Sequence, residues 1–290
     1  MDHFFFSAID ALSSDPLSHN FGRTALLMGS LVAAVCGFLS GYLTLKGWAL
    51  MGDAVSHSVM PGVVVAYALE LPISLGAFVF GVGSVALIGF VKQKSRIKED
   101  TVIGLVFTGF FALGIVLAKR IRSGVHLDHI LFGSVIGVSP SDLSQTIFIS
   151  LLVVFLLAVF RKDLMLYCFD PRHAKTVGIN VIFLHYLLLT CTSLAAVVGL
   201  QSVGLILVVA MLITPGATAY LLTDNFNKMI LISVVSAIIS SFIGIYFSFW
   251  FDLLPGGTIV LAQTFMFLCS FLFAPRYGIF KFKKNFSTNK

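Results

Sequence analysis

Charged side chains are scarce in this sequence, at 11% of its 290 residues. A water-soluble domain usually carries about 25%, so a soluble globular protein of this length is excluded. Apolar residues make up 58% of the chain, and the mean hydropathy is +1.00. The composition predicts an all-α, polytopic membrane helix bundle.

Several chemical signatures are also missing. There is no GxxxxGK[ST] loop, so the chain lacks that means of hydrolysing ATP. There is neither HExxH nor GxSxG, which argues against a membrane metalloprotease or serine protease. The four cysteines form no CxxC pair and indicate neither a zinc knuckle nor a disulfide framework. We therefore predict a protein that is not an enzyme.

The first twenty residues contain no Lys or Arg, so no cleavable signal peptide is predicted. A transmembrane helix needs about 20 apolar residues. The sequence predicts eight or nine such spans, and the nine candidates are 24–45, 48–69, 73–91, 101–118, 143–160, 181–199, 202–222, 229–250 and 257–274.

Basic residues orient the chain. The net charge of +6 lies in short loops and therefore indicates topology, not binding to nucleic acid. Clusters within 92–98, 161–175 and 276–290 fall on one side of a nine-span bundle, which we predict to be cytoplasmic. Residues 1–20 would then be extracytoplasmic, 21–275 the transmembrane domain and 276–290 a basic cytoplasmic tail. Lys119, Arg120 and Arg122 are an exception to this charge rule, because they would lie on the extracytoplasmic side.

One polar pair interrupts an apolar span. Asp53 and His57 are four residues apart and share one face of a helix. Ionisable groups at membrane depth are costly and mark ion or proton pathways by default. A carboxylate and an imidazole also suit a first-row divalent metal, although two ligands do not complete a site. Met60 and Pro61 follow on the same span, and Pro61 frees a carbonyl near His57.

A short helix is predicted between two long spans, over about 170–179. Asp170 is a suitable N-cap, Pro171 a first helical residue and Gly178 a C-terminal cap. A plain surface helix and a docking element for a cytoplasmic partner fit equally well. The candidate docking residues are Asp170, Arg172, His173, Ala174, Lys175 and Gly178.

Two further stretches predict irregular helices. Thr214-Pro215-Gly216 predicts a helix break inside a span, and such breaks often mark transport pathways. Residues 123–140 predict a short or re-entrant helix, because Gly133, Gly137 and Pro140 interrupt a partly polar segment. Gly29, Ala33, Gly37 and Gly41 recur every four residues and predict close helix packing.

These motifs together resemble the manganese/zinc/iron permeases of binding-protein-dependent ABC importers. The resemblance covers about 24–275, and its first segment, residues 46–62 (KGWALMGDAVSHSVMPG), is the most specific. Three weaker segments lie at 131–139, 170–178 and 203–219. Gly216 stands where these permeases usually have alanine.

The resemblance implies a bundle of the vitamin B12 importer type in which Asp53 and His57 line a metal path. It also implies a second permease subunit, identical or different, cytoplasmic ATP-binding cassette subunits and an extracytoplasmic metal-capturing protein. The setting would be the lipid of a bacterial inner membrane.

The cargo would be Mn²⁺, Fe²⁺ or Zn²⁺, with no permanently bound cofactor. Within this resemblance, the sequence that begins at His129 (HILFG) favours manganese or iron, and a zinc importer of the same family is the alternative. A proton-coupled secondary carrier that uses Asp53 and His57 as a relay is a second alternative.

Overall fold

A computed structural model of the chain describes residues 20–121, 140–274 and Gly278. Within these ranges all regular secondary structure is α-helical. The helices are α1 (Asn20–Lys46), α2 (Ala49–Ser58), α3 (Met60–Ala68), α4 (Ile73–Lys94), α5 (Glu99–Ile121), α6 (Pro140–Val159), α7 (Arg161–Phe169), α8 (Pro171–Thr176), α9 (Val181–Val203), α10 (Leu205–Leu222), α11 (Phe226–Phe251) and α12 (Pro255–Phe273).

All nine predicted spans coincide with helices. Six of them are long and apolar enough to cross a membrane: α1, α4, α5, α9, α11 and α12. The pair α6–α7, bent by 71°, gives a seventh if it is counted as one span. The other two are the broken pair α2–α3 and the shorter α10. The predicted re-entrant helix at 123–140 lies outside the described residues, except that Pro140 begins α6.

Pro61 explains the break between α2 and α3. Because proline has no N–H, the carbonyl of His57 loses its helical partner and accepts the N–H of Val59. The span continues at once in α3, with Pro61 in its first turn. The polar pair therefore lies on α2, immediately before the interruption.

Helices α1 and α11 pack along the predicted small-residue face. A Cβ on Gly37 would lie 2.9 Å from the Cβ of Ala237, so only glycine permits this approach. The Ser233 hydroxyl then donates to the Gly37 carbonyl at 2.6 Å. Close backbone contact of this kind replaces the hydrophobic driving force that is absent inside a bilayer.

The predicted helix break at Thr214-Pro215-Gly216 is wrong, because α10 continues through all three residues. The Ser40 hydroxyl of α1 hydrogen-bonds α10 on both sides of Pro215. It accepts the N–H of Gly216 at 2.8 Å and donates to the Ile213 carbonyl at 3.2 Å. A neighbouring helix thus supplies hydrogen bonds at the point where proline disturbs the backbone.

The actual interruption lies ten residues earlier, at Gly204, which separates α9 from α10. Its φ of 92° is in the region that favours glycine. The chain turns back sharply here and brings α9 and α10 together. A Cβ on Gly199 would lie only 2.3 Å from a methyl carbon of Val208. A short connection replaces the polar loop that usually joins two spans.

Several helix ends meet on one side of the bundle. Residues from the ends of α1, α4 and α7 and from the beginnings of α8 and α9 line one cavity there, among them Lys46, Lys92, Tyr167, Pro171 and Val181. We call this side the basic face; it carries Lys46, Lys92, Lys94, Arg161, Lys162, Arg172 and Lys175. Helix α5 runs away from this face and ends with Lys119 and Arg120. Those two residues remain the exception to the charge rule.

The crossing of α3 and α4 generates a prediction. A Cβ on Gly62 would lie 2.1 Å from the Gly76 carbonyl oxygen, whereas a Cβ on Gly83 of α4 meets nothing within 4 Å. Overpacking costs about 1–3 kcal/mol, so Gly62→Ala should lower the unfolding temperature of the detergent-solubilised protein. Gly83→Ala is the matched control and should preserve or raise it. Equal unfolding temperatures for the two variants would contradict this account of the crossing.

Candidate metal pathway

Asp53 and His57 are brought together by one turn of α2. The Asp53 Oδ1 atom lies 3.2 Å from His57 Nε2, and their side chains are 34% and 20% exposed, respectively. The α-helical period places both on one face. Two groups that can each bind a divalent cation therefore point towards the same partly open space.

Two aromatic rings of α5 fix the imidazole. The ring centroids of Phe107 and Phe111 lie 4.9 and 5.0 Å from that of His57. The His57 Nδ1 atom is buried without a hydrogen-bond partner among the described residues. The aromatic contacts orient Nε2 towards Asp53. Sequence reasoning missed both phenylalanines, although their i,i+4 spacing on an apolar helix is a visible signal.

Helix α2 is anchored on its other sides. A Cβ on Gly52 would lie 2.9 Å from the Cβ of Leu212, so α2 and α10 are in close contact. The hydroxyls of Ser58 and Ser84 lie 2.7 Å apart and tie α2 to α4. These contacts hold the pair in place without neutralising it.

The pair alone does not make a complete metal site. The described residues contain no group of three His, Cys, Asp or Glu side chains that could hold a metal ion. Manganese and iron usually take more than two protein ligands. Asp53 and His57 are therefore two candidate ligands, fewer than a complete site needs.

Met60 and Pro61, the other residues predicted for the pathway on this span, are buried. A Cβ on Gly114 would lie 2.8 Å from Met60 Cγ and 3.1 Å from the Pro61 nitrogen, so both residues pack against α5. Pro215 and Gly216 are also buried, while Thr214 is half-buried. Met60, Pro61 and Gly216 lie in contacts between helices, and a role for these five residues in the pathway stays a prediction.

The short predicted helix is present as α8. The Asp170 carboxylate accepts the N–H groups of Arg172 and His173 at 2.9 and 3.0 Å. At the other end, Gly178 has a φ of 89° and its N–H donates to the Lys175 carbonyl. The Ile179 N–H donates to the Ala174 carbonyl, which completes a Schellman motif.

The candidate docking residues divide by exposure. Arg172, His173 and Lys175 are exposed, and Gly178 is exposed at the end of the helix. Ala174 is 0% exposed, so it anchors α8 to the bundle and cannot present a docking surface. The helix is a fixed, positively charged projection on the basic face.

The model of the ABC 3 transport family matches residues 18–274. The chain belongs to this family. Its secondary structure and its multiple membrane-spanning helices agree with a permease.

Named relatives cover most of the chain. It is 50% identical over 265 residues to the manganese transport system membrane protein MntB of Synechocystis, covering 91% of this chain and 87% of that protein. It is 46% identical over 260 residues to a probable iron transport system membrane protein of Haemophilus influenzae, covering 90% of this chain and 96% of that protein.

Solved structures agree on the fold. A chain of PsaBC from Streptococcus pneumoniae, solved in complex with Fab, superposes with a TM-score of 0.82 at 38% identity, covering 94% of this chain and 97% of that one. An inward-facing putative metal-chelate type ABC transporter superposes with a TM-score of 0.60 at 18% identity over 92% and 95% of the two chains. The latter supports the fold alone.

The cap of α8 predicts a pH dependence. Hydrogen bonds from the His173 and Arg172 backbones lower the pKa of Asp170 below its ordinary value of 3.8. A lowered pKa stabilises the folded helix above that ordinary value, and this contribution is lost as the pH falls through the lowered pKa. Hydrogen exchange of the amides at 172–178, corrected for intrinsic rates, should therefore accelerate below about pH 4.

Asp170→Asn is the control, because asparagine is also a good N-cap and does not titrate. Its amides should exchange with little additional acceleration in acid. A wild-type chain and an Asp170→Asn variant with the same acid response would show that the carboxylate does not hold α8.

Proposed function

We propose that this chain is the permease subunit of an ABC importer that carries Mn²⁺ or Fe²⁺ into the cytoplasm of a bacterial cell. The observation that carries the proposal is the Asp53–His57 pair, held 3.2 Å apart on one helix face within the transmembrane domain. Membership of the ABC 3 transport family supports an ATP-driven importer over the alternative of a proton-coupled carrier.

The chemistry of the pair supports a divalent metal as cargo. A carboxylate oxygen and an imidazole nitrogen are both common ligands of manganese and iron. The relatives cited above are named for manganese and for iron transport, which favours these metals over zinc. Intrinsic affinity favours zinc at most mixed sites, so selection must depend on coordination number and on the upstream binding protein.

The remaining ligands come, on this proposal, from outside the described part of the chain. A second permease subunit, identical or different, would bring a second polar pair to the same path. The partial exposure of Asp53 and His57 supports this arrangement, because a fully enclosed pair could not share an ion with another chain. Water supplies any position left over, and the metal is cargo, not a resident cofactor.

Energy comes, on this proposal, from separate ATP-binding cassette subunits in the cytoplasm. Helix α8 supports their docking because it projects from the basic face with its charged side chains exposed and its Ala174 side anchored. A solute-binding protein outside the membrane would deliver the metal. The basic face is then the cytoplasmic side of the inner membrane.

Removing either member of the pair tests the metal path. We expect Asp53→Ala and His57→Ala each to reduce Mn²⁺ uptake by cells to background, because each variant removes one of the two ligands. Membrane insertion and assembly should persist, since neither side chain is fully buried. Uptake of radioactive or fluorescent-reported Mn²⁺, normalised to permease in the membrane, measures the effect.

Asp252→Asn is a suitable control, because Asp252 is an exposed acidic residue beyond the end of α11 in a left-handed conformation that asparagine tolerates. It should leave uptake unchanged. Normal uptake by a well-expressed Asp53→Ala/His57→Ala double variant would contradict the metal path.

Docking through α8 predicts a position-specific cross-link. In a background without native cysteines, His173→Cys should cross-link to a cysteine on the ATPase subunit, because position 173 is exposed. Ala174→Cys, one residue away, should not react, because position 174 is buried. Gel shifts after mild oxidation measure both. Failure of His173→Cys at every tested partner position would exclude this face of α8 from the interface.

A further inference from the structure

A cavity lined by both polar and apolar residues lies on the basic face, and neither Asp53 nor His57 lines it. Its volume is about 370 Å³, which is within the range of sites that bind small molecules. Its wall includes residues from α1, α4, α7, α8 and α9. We propose that this cavity binds the headgroup phosphate of an anionic phospholipid.

The charge of the wall favours an anion. Lys46 and Lys92 both line the cavity, as does His185, and none of the described lining residues is acidic. The two lysines come from the ends of two different transmembrane helices, α1 and α4. Two lysines in the wall of one cavity near a membrane surface favour an anionic headgroup over a zwitterionic one.

Lys46 is held in position by its surroundings. Its Nζ atom donates to the Tyr167 carbonyl at 3.3 Å and lies 4.1 Å from the centroid of the Tyr167 ring. It also lies 5.6 Å from the centroid of the Trp48 ring. Cation–π contacts of this kind fix a lysine that would otherwise move freely, so the cavity has a preorganised cationic wall.

The aromatic part of the wall is equally ordered. The Tyr167 hydroxyl lies 3.0 Å from His185 Nδ1, and the Trp48 and His185 ring centroids are 5.1 Å apart. Trp48 and Tyr167 are buried beneath the lysines. Tryptophan and tyrosine with lysine are typical of the level at which lipid headgroups lie.

The apolar rim favours a lipid over a soluble anion. Ile182 lines the cavity and is 66% exposed, and Phe183 follows it on α9. Phe90 of α4, next to the lining residue Gly89, is 61% exposed. Exposed apolar groups beside a cationic cavity suit a ligand with a charged head and acyl chains, whereas free phosphate gains nothing from them.

The position of the cavity gives the lipid a structural consequence. Pro171, the first residue of α8, is part of the wall. A bound headgroup would therefore contact the base of the helix that projects from the basic face. Only this consequence for coupling depends on the proposed function; lipid binding itself does not.

Trp48 provides a reporter for the test. The chain has two tryptophans, so Trp250→Phe leaves Trp48 as the single one in the complete protein. This variant is reconstituted in phosphatidylcholine vesicles containing increasing fractions of phosphatidylglycerol brominated near the headgroup. Quenching should saturate at a lower lipid fraction with brominated phosphatidylglycerol than with brominated phosphatidylcholine.

The lysines are then changed. Each lysine near a membrane surface contributes about fivefold, so Lys46→Gln/Lys92→Gln should weaken the phosphatidylglycerol dependence about 30-fold. Lys46→Arg/Lys92→Arg should restore it, which separates charge from folding. Lys94→Gln is the matched control for general surface charge, because Lys94 is exposed on the same turn of α4 but does not line the cavity; it should weaken the dependence about fivefold at most.

Three results would overturn the proposal. Equal quenching by the two brominated lipids would show that the cavity does not select an anionic headgroup. Relief of quenching by millimolar inorganic phosphate would identify a site for a soluble anion. Unchanged quenching in Lys46→Gln/Lys92→Gln, with loss of ATPase binding, would assign the cavity to an acidic side chain of that partner.

Discussion

Close contact between helix backbones is the interaction on which the rest of this structure depends. Apolar side chains gain no free energy from leaving water when the surroundings are lipid, so van der Waals packing and interhelical hydrogen bonds must hold the helices together. Gly62 and Gly76 approach so closely that neither accommodates a Cβ. Gly37 permits the hydrogen bond from Ser233 in the same way. The dense bundle that results can support a polar pair.

That support is asymmetric. On one side, Phe107 and Phe111 cover the His57 ring, and Leu212 packs against Gly52. On the other side, Asp53 and His57 keep part of their surface exposed. A pair enclosed all round would be a structural ion pair, and a pair fully exposed would have no fixed geometry. Partial exposure combines a fixed geometry with access from outside, as the proposed metal path requires.

The sequence predicts the helices well because hydropathy and capping are local properties. Asp170 and Gly178 delimit α8 as predicted, and the four-residue spacing of Asp53 and His57 places them on one face. The contacts between helices are not local. Phe107 and Ser40 reach their partners from distant parts of the chain, and a single sequence does not state which spans are neighbours. Pro215 was therefore misinterpreted, since Ser40 stabilises the helix that proline alone would interrupt.

The Ser40 hydroxyl also has a consequence for the order in which the helices enter the membrane. Pro215 has no N–H, so the Met211 carbonyl of α10 loses its helical partner, and unsatisfied groups are costly in hydrocarbon. The Ser40 hydroxyl of α1 hydrogen-bonds the Gly216 N–H and the Ile213 carbonyl on either side of this proline, so α1 supports α10 where its own hydrogen bonding is interrupted. Because α1 precedes α10 in the chain, it is synthesised first, and its Ser40 hydroxyl is already in the membrane when α10 is inserted. If α10 entered the membrane before α1, its interrupted hydrogen bonding at Pro215 would face lipid without the Ser40 hydroxyl.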